Sequence, residues 1–148
     1  MALNFENYAI KGNQFMRELS EKLGFEDEPQ RAARILKSVL HTLRDHLTIE
    51  ESLQMLAQLP MFLKAIYVEG WSAKKKKKIS HISEFLDEVW ENDGRSARND
   101  FGDGEETLAD IVMVFLMLRN YVSEGEMNNI TAVLPKELKP LISLSFVA

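Results

Sequence analysis

Apolar positions recur at helical spacing over most of the chain. Phe15, Met16, Leu19 and Leu23 share one stripe, and Gly24 follows where a left-handed residue closes a helix. Phe5, Tyr8 and Gly12 carry the stripe backwards, which predicts one long N-terminal helix capped by Asn4. Gly12 costs such a helix about 1 kcal/mol relative to Ala. Ala32, Ile35, Leu36, Val39, Leu40 and Leu43 form a second stripe. Phe85, Leu86 and Val89, then Leu108, Ile111, Val112, Phe115 and Leu118, form two more. Val112 and Val114 alone suggest a strand, but the pattern around them is too long for one.

Slid against itself by 75 positions, the chain places Leu36–Tyr67 on Ile111–Ile142 without a gap. Val39/Val114, Leu43/Leu118, Arg44/Arg119, Glu51/Glu126, Ala57/Ala132, Leu59/Leu134, Pro60/Pro135, Leu63/Leu138 and Lys64/Lys139 are identical pairs, nine in 32 positions. Upstream the offset becomes 70, so the second copy carries extra residues between its first two helices. Each copy reads as helix, loop, long helix, tight turn, helix, Leu-Pro and short helix. The expected architecture is an all-α bundle of about eight helices in one domain spanning residues 1–148. Within it lie a first repeat at about 4–70, a lysine-rich linker at 71–79, a second repeat at about 80–142 and an apolar C-terminal tail at 143–148.

The third helix of each copy has its start written in the sequence. Thr48-Ile49-Glu50-Glu51 and Ser123-Glu124-Gly125-Glu126 both read as capping boxes, with a hydroxyl and a glutamate exchanging bonds with backbone N–H groups. Pro60 and Pro135 then suit the first turn of the following helix. Ile111–Leu118 is apolar on every face, whereas its counterpart Leu36–Leu43 interposes Lys37, Ser38, His41 and Thr42. A helix apolar all round must be covered all round, so Ile111–Leu118 is expected to be the central helix, with Met113 and Met117 shielded.

Composition narrows the function classes. The chain has 148 residues, 45% hydrophobic and 28% charged, an ordinary balance for a chain that folds by itself. It contains no cysteine, which excludes disulfides, thiolate zinc sites and a thiol nucleophile, and suits a reducing compartment. Residues Met1 to Asn13 lack the basic start and apolar stretch of a signal peptide, so a cytoplasmic location is expected. The longest apolar run is Ile111–Leu118, far short of the roughly 20 residues that cross a bilayer. The net charge of −5 argues mildly against general nucleic-acid binding.

Candidate chemistry is sparse. Arg44 with Glu51 and Arg119 with Glu126 read as structural pairs, each arginine near a helix C-terminus and facing the capping glutamate across the turn. Lys74, Lys75, Lys76, Lys77 and Lys78 make an uninterrupted basic run, which reads either as a solvated linker or as an anion-binding element. Asp93–Glu106, around the insertion, reads as an exposed acidic loop whose Asp103-Gly104-Glu105-Glu106 caps the next helix. A calcium-loop template starting at Asn99 aligns Asp103, Gly104 and Asp110 but puts Phe101 where a ligand oxygen is required. His41, His46 and His81 lack metal-binding spacing, and His41 is expected to meet Asp45 at the surface. Phosphate-binding and nucleophile-elbow motifs are absent, so no catalytic residue, metal or cofactor is expected.

Asn4-Phe5, Tyr8-Ala9, Gly12-Asn13, Phe15, Leu43-Arg44-Asp45-His46-Leu47, Ala57-Gln58-Leu59-Pro60 and Tyr67-Val68-Glu69-Gly70-Trp71, echoed by Leu134-Pro135, resemble a bacterial helical family known as domain of unknown function 2267. That resemblance implies a two-repeat helical fold in bacteria and supplies no activity, substrate or catalytic residue. Arg95–Gly104 and the lysine run depart from it. The expected role is a non-enzymatic interaction or regulatory module that binds a protein partner, or itself, through a groove between the copies or through the apolar tail Leu141–Val147. The alternative is an anionic partner, nucleic acid or an acidic membrane surface, held by Lys74–Lys78.

Overall fold

The structure is a computed structural model that describes residues 4–72 and 79–143, and no strand occurs among them. Among the described residues eight α-helices have six residues or more: α1 (Phe5–Lys22), α2 (Pro29–His46), α3 (Ile49–Leu56), α4 (Met61–Val68), α5 (Ile82–Asp93), α7 (Gly104–Leu118), α8 (Glu124–Thr131) and α9 (Leu138–Ser143). A 3-10 turn at Gly94–Ser96 and the five-residue α6 (Ala97–Phe101) connect α5 to α7. The fold is all-α, and among the described residues no helix is long and apolar enough to cross a membrane.

Helix α1 runs its full predicted length. The Asn4 side chain accepts the Asn7 backbone N–H at 3.1 Å. Gly12 is explained by packing, because a Cβ there would lie 3.2 Å from the Phe62 Cβ of α4. Phe15, Phe62 and Tyr121 cluster beside this crossing, with Phe15–Phe62 centroids 5.3 Å apart and Phe15–Tyr121 centroids 6.0 Å apart. Gly24 takes φ +92°, its N–H reaches the Glu21 carbonyl, and the Phe25 N–H reaches the Ser20 carbonyl, both at 3.0 Å. A side chain is strained at that φ, so Gly24→Ala is expected to cost about 1–2 kcal/mol in urea unfolding.

Helix α2 packs against α1, α4, α5, α6 and α7. Ile35, Leu36, Val39, Leu40 and Leu43 are fully buried, and so are two of the polar residues between them, Ser38 and Thr42. Their hydroxyls are satisfied locally: Ser38 donates to the Ile35 carbonyl at 3.0 Å and Thr42 to the Ser38 carbonyl at 2.7 Å. Asn92 of α5 then donates to the Thr42 hydroxyl at 2.7 Å.

Helix α7 does not stand alone at the centre. It packs against α1, α2, α5, α6 and α9 and buries Ile111, Val114, Phe115, Met117 and Leu118. Val112, Met113 and Leu116 remain partly exposed, which corrects the expectation of complete coverage. Met113, Leu116 and Met117 line a shallow cleft of about 270 Å³ with Lys22 and Asn120. The neighbouring helices close around α7 without meeting over this stripe.

The two tight turns are closed by different bonds. Thr48 forms the full box: its hydroxyl accepts the Glu51 N–H at 3.1 Å and Glu51 accepts the Thr48 N–H at 2.8 Å. Ser123 accepts the Glu126 N–H at 3.2 Å, but its own N–H goes to the Gln58 side-chain oxygen at 2.7 Å. The second box is therefore half replaced by a bond from the loop after α3. Pro60 sits at the N-cap of α4, one position ahead of its first turn, and its carbonyl accepts from Leu63 and Lys64. The Pro135 carbonyl likewise accepts the Leu138 N–H at 3.0 Å.

Candidate functional site

The insertion is not an exposed loop. Ala97 and Phe101 are one helical turn apart, and both are buried against the core, so the segment winds into α6. Gly102, at φ +75°, ends it, and Asp103 caps α7 by accepting the Glu106 N–H at 2.9 Å. Burial of Phe101 carries its neighbour Asp100 inside as well, to 1% exposure.

A buried carboxylate needs a partner, and α2 provides two arginines. Arg34 makes a fork on Asp100, with Nε to Oδ2 and Nη2 to Oδ1 both at 2.9 Å. Arg31 donates to the Asp100 carbonyl from Nε at 3.1 Å and from Nη2 at 2.8 Å. The same guanidinium reaches Glu28 at 3.1 Å and lies 4.0 Å over the Phe25 ring centre. Asp93, ending α5, lies near enough to Asp100 for the two acids to influence each other, and its Oδ2 is buried without a hydrogen-bond partner. Asp110 of α7 lies within electrostatic reach of Arg31 and Glu106.

These surroundings separate the three acids. Burial first, and then the contact with Asp100, push Asp93 up to about 7. Burial also pushes Asp110 up to about 7, with Glu106 adding to it and Arg31 opposing. Burial acts to raise Asp100 too, but the Arg34 fork, Asp93 and nearby Arg31 outweigh it and hold that carboxyl below its ordinary value. The hydrogen bond to Asp100 raises Arg34 in turn. Neither Arg31 nor Arg34 stood out in the sequence. The available signal was the pairing of an Ala-x-x-x-Phe turn in the insertion with two arginines three residues apart on α2.

The arginines that were singled out act on backbone. Arg44, expected to face Glu51, instead donates from Nη1 to the carbonyls of Tyr67 and Glu69, both at 2.7 Å, at the end of α4. Arg119 donates from Nη1 to the Ile142 carbonyl at 3.1 Å in α9. Glu51 is occupied by its cap, and Glu126 is buried with Oε1 unpartnered. His41, expected to meet Asp45 at the surface, is half-buried with Nε2 2.8 Å from the Ile66 carbonyl, and burial lowers its pKa. His46 is buried and hydrogen-bonds Glu88. His81 is the N-cap of α5, and its N–H reaches Glu84 at 3.2 Å. Lys74–Lys78 and Leu144–Ala148 lie outside the described residues. No cluster of three or more acids or histidines suited to a metal ion occurs among the described residues.

Apolar side chains reach the surface in several places, Phe5 and Ile10 of α1 among them, and one such place is a groove. Leu56, Ala57, Met61, Lys64, Ala65 and Val68 line a groove of about 420 Å³ between α3 and α4. Beside it Ile49 and Leu53 are 53% and 56% exposed, one helical turn apart on α3. At the offset of 75 positions in the sequence, Glu124, Asn128, Thr131 and Lys136 align with Ile49, Leu53, Leu56 and Met61. Helices α3 and α8 are equal in length and begin and end at paired residues, so helix formation itself does not require the apolar set.

The described residues thus define an all-helical protein with a buried ionic cluster around α6 and an exposed apolar groove between α3 and α4. Residues 12–141 match the family model described as an uncharacterized conserved protein, DUF2267, and the chain belongs to that family. No curated protein matches the chain.

Proposed function

We propose that this chain is a non-enzymatic helical interaction module of the cytoplasm, built from two copies of one unit, and that the α3–α4 groove docks an amphipathic helix of a partner protein. The observation that carries this reading is the contrast between copies. Ile49, Leu53 and Met61 stay exposed and apolar, whereas Glu124, Asn128 and Lys136 occupy the paired positions. Exposed apolar surface that the architecture does not require is the usual mark of a docking site. Two short helices flanking a shallow apolar channel suit a helix whose anchors recur at every third or fourth residue. Lys64 lines the channel and has no ion pair among the described residues, so the complementary helix carries a carboxylate beside its apolar stripe.

The test is a photo-reactive residue in place of Leu53 in the full chain, cross-linked inside source cells, with the captured segment sequenced. An acidic amphipathic helix is the expected catch. Leu53→Asn and Met61→Lys, which install the second copy's residues, should cut capture roughly ten-fold or more, since burying one such side chain contributes about 1.5–3 kcal/mol. Neither change should lower the melting temperature. Cross-links to another copy of this chain, to lipid or to nothing would overturn the proposal.

A further inference from the structure

The chain leaves α4 and α9 by the same bond. Arg44 of α2 donates from Nη1 to the Tyr67 carbonyl at 2.7 Å, and Arg119, capping α7, donates from Nη1 to the Ile142 carbonyl at 3.1 Å. Both members of the second bond stand 75 positions after those of the first. Helix α4 packs on α2 and α9 on α7, so the chain comes off α9 beside α7 much as it comes off α4 beside α2.

What leaves α4 lies along the outer face of α2. The His41 ring meets the Ile66 carbonyl at 2.8 Å, Glu69 pairs with Lys37 at 3.2 Å, and Trp71 stands edge-on to Tyr67 with centroids 5.9 Å apart. On α7, Val112 and Leu116 align with Lys37 and His41; after α9, Leu144 and Phe146 align with Glu69 and Trp71. Lys37, His41 and Glu69, the polar members of the first contact, are thus all matched by apolar residues. Val112, Met113 and Leu116 remain partly exposed, and the last two line the shallow cleft on α7. An exposed apolar stripe calls for a cover, and an apolar segment leaves the fold beside it.

We propose that the segment Leu144–Val147, which lies beyond the described residues, docks along the Val112–Leu116 stripe of its own α7, an apolar contact there taking the place of the Lys37–Glu69 ion pair. Leu144 meets Val112 and Leu116, and Phe146 enters the cleft beside Met113. Two residues span at most about 7 Å, so Leu144 stays near the anchored Ile142 carbonyl, and its own α7 is favoured over that of a second copy. The path differs from the one after α4 in one respect. Gly70 takes φ +64°, where a side chain is strained, and Ser145 stands in its place, so the tail runs on extended instead of folding back. Residues two apart in an extended segment face one side, which brings Leu144 and Phe146 to the helix together. A tail held in this way does not capture a partner, and the cleft it fills is closed to small ligands.

Nuclear Overhauser contacts in the full chain test the docking. Cross-peaks are expected between the Phe146 ring and the methyl groups of Met113 or Leu116, and between Leu144 and Val112. An isotope-filtered mixture of labelled and unlabelled chains, which shows only contacts between chains, should show none of them. Leu144→Glu should abolish the contacts and speed peroxide oxidation of Met113 several-fold, with the exposed Met61 as an unaffected reference. Adding Val112→Lys to that variant rebuilds the charged pair found at Lys37 and Glu69, and it should return Met113 to near the parent rate. Absence of the contacts in the parent, contacts only between chains, or a double variant that oxidises as fast as Leu144→Glu alone overturns the proposal.

Discussion

Phe101→Ala is expected to destabilise the protein by about 3–5 kcal/mol, the range for truncating a buried aromatic side chain. In a chain of this size that lowers the melting temperature by roughly 6–20 °C. The residue sits in the segment with the most acidic and turn-rich sequence of the chain, where an exposed loop would tolerate the change within about 0.5 kcal/mol. The difference follows from its burial, which is complete, and from the links it secures. With the ring gone, α6 loses its apolar anchor, and the buried Asp100 with its Arg34 fork loses the scaffold that holds it in register. Refilling the space tests the cause: Phe101→Leu should recover most of the loss, because it restores much of the buried apolar volume. Urea unfolding of the three chains gives the comparison, and a Phe101→Ala chain as stable as the parent would restore the exposed loop.

The reason the insertion misled is visible in its residues. Asp93, Asp100, Asp103, Glu105 and Glu106 dominate the local composition and read as solvent-facing, and Phe101 alone does not outweigh them. Asp103, Glu105 and Glu106 are indeed exposed, but the arginines that hold Asp100 inside, Arg31 and Arg34, lie more than sixty residues earlier, so their effect on burial is invisible to any local window. The Asp103 cap was legible, because capping is a three-residue relation. The same division runs through the fold. Asn4, Thr48 and Gly24 did what local chemistry predicts. Ser123 partly did not, since its N–H found Gln58 across the fold before Glu126 could take it. Ser38 and Thr42 looked like a polar face on α2, yet short hydroxyls that bond the preceding turn bury almost as readily as apolar groups.

The groove shows the complementary case. Its residues were in plain view as an apolar set on two short helices, and their identity fits core and interface equally. Only exposure separates the two. Once Leu53 is known to be exposed, the Asn128 paired with it in sequence becomes informative, because a similar helix is made there without an apolar residue. Two helices of equal length aligned in sequence thus supply a comparison within one chain that neither gives alone.

The second large effect is expected at Arg44. Its guanidinium is buried in the protein and donates to the last carbonyls of α4, where orphaned acceptors would otherwise face a low-dielectric interior. Arg44→Ala removes two charge-assisted bonds of roughly 1.5 kcal/mol or more each and leaves the Tyr67 carbonyl unmet, for a loss of about 3–5 kcal/mol. Arg44→Met should cost less, because its chain keeps part of the stem packing and also removes the burden of desolvating a charge. Arg44→Lys should fall between, since one ammonium lacks the rigid fork of the guanidinium. The consequence reaches the groove: α4 ends at Val68, which lines it, so fraying that end removes one wall. In the alanine chain, amide exchange at Ile66–Val68 should accelerate together with the loss of partner capture at Leu53, whereas exchange in α8 should be unchanged. Loss of stability spread evenly over both halves would instead make Arg44 a general core residue with no special hold on α4.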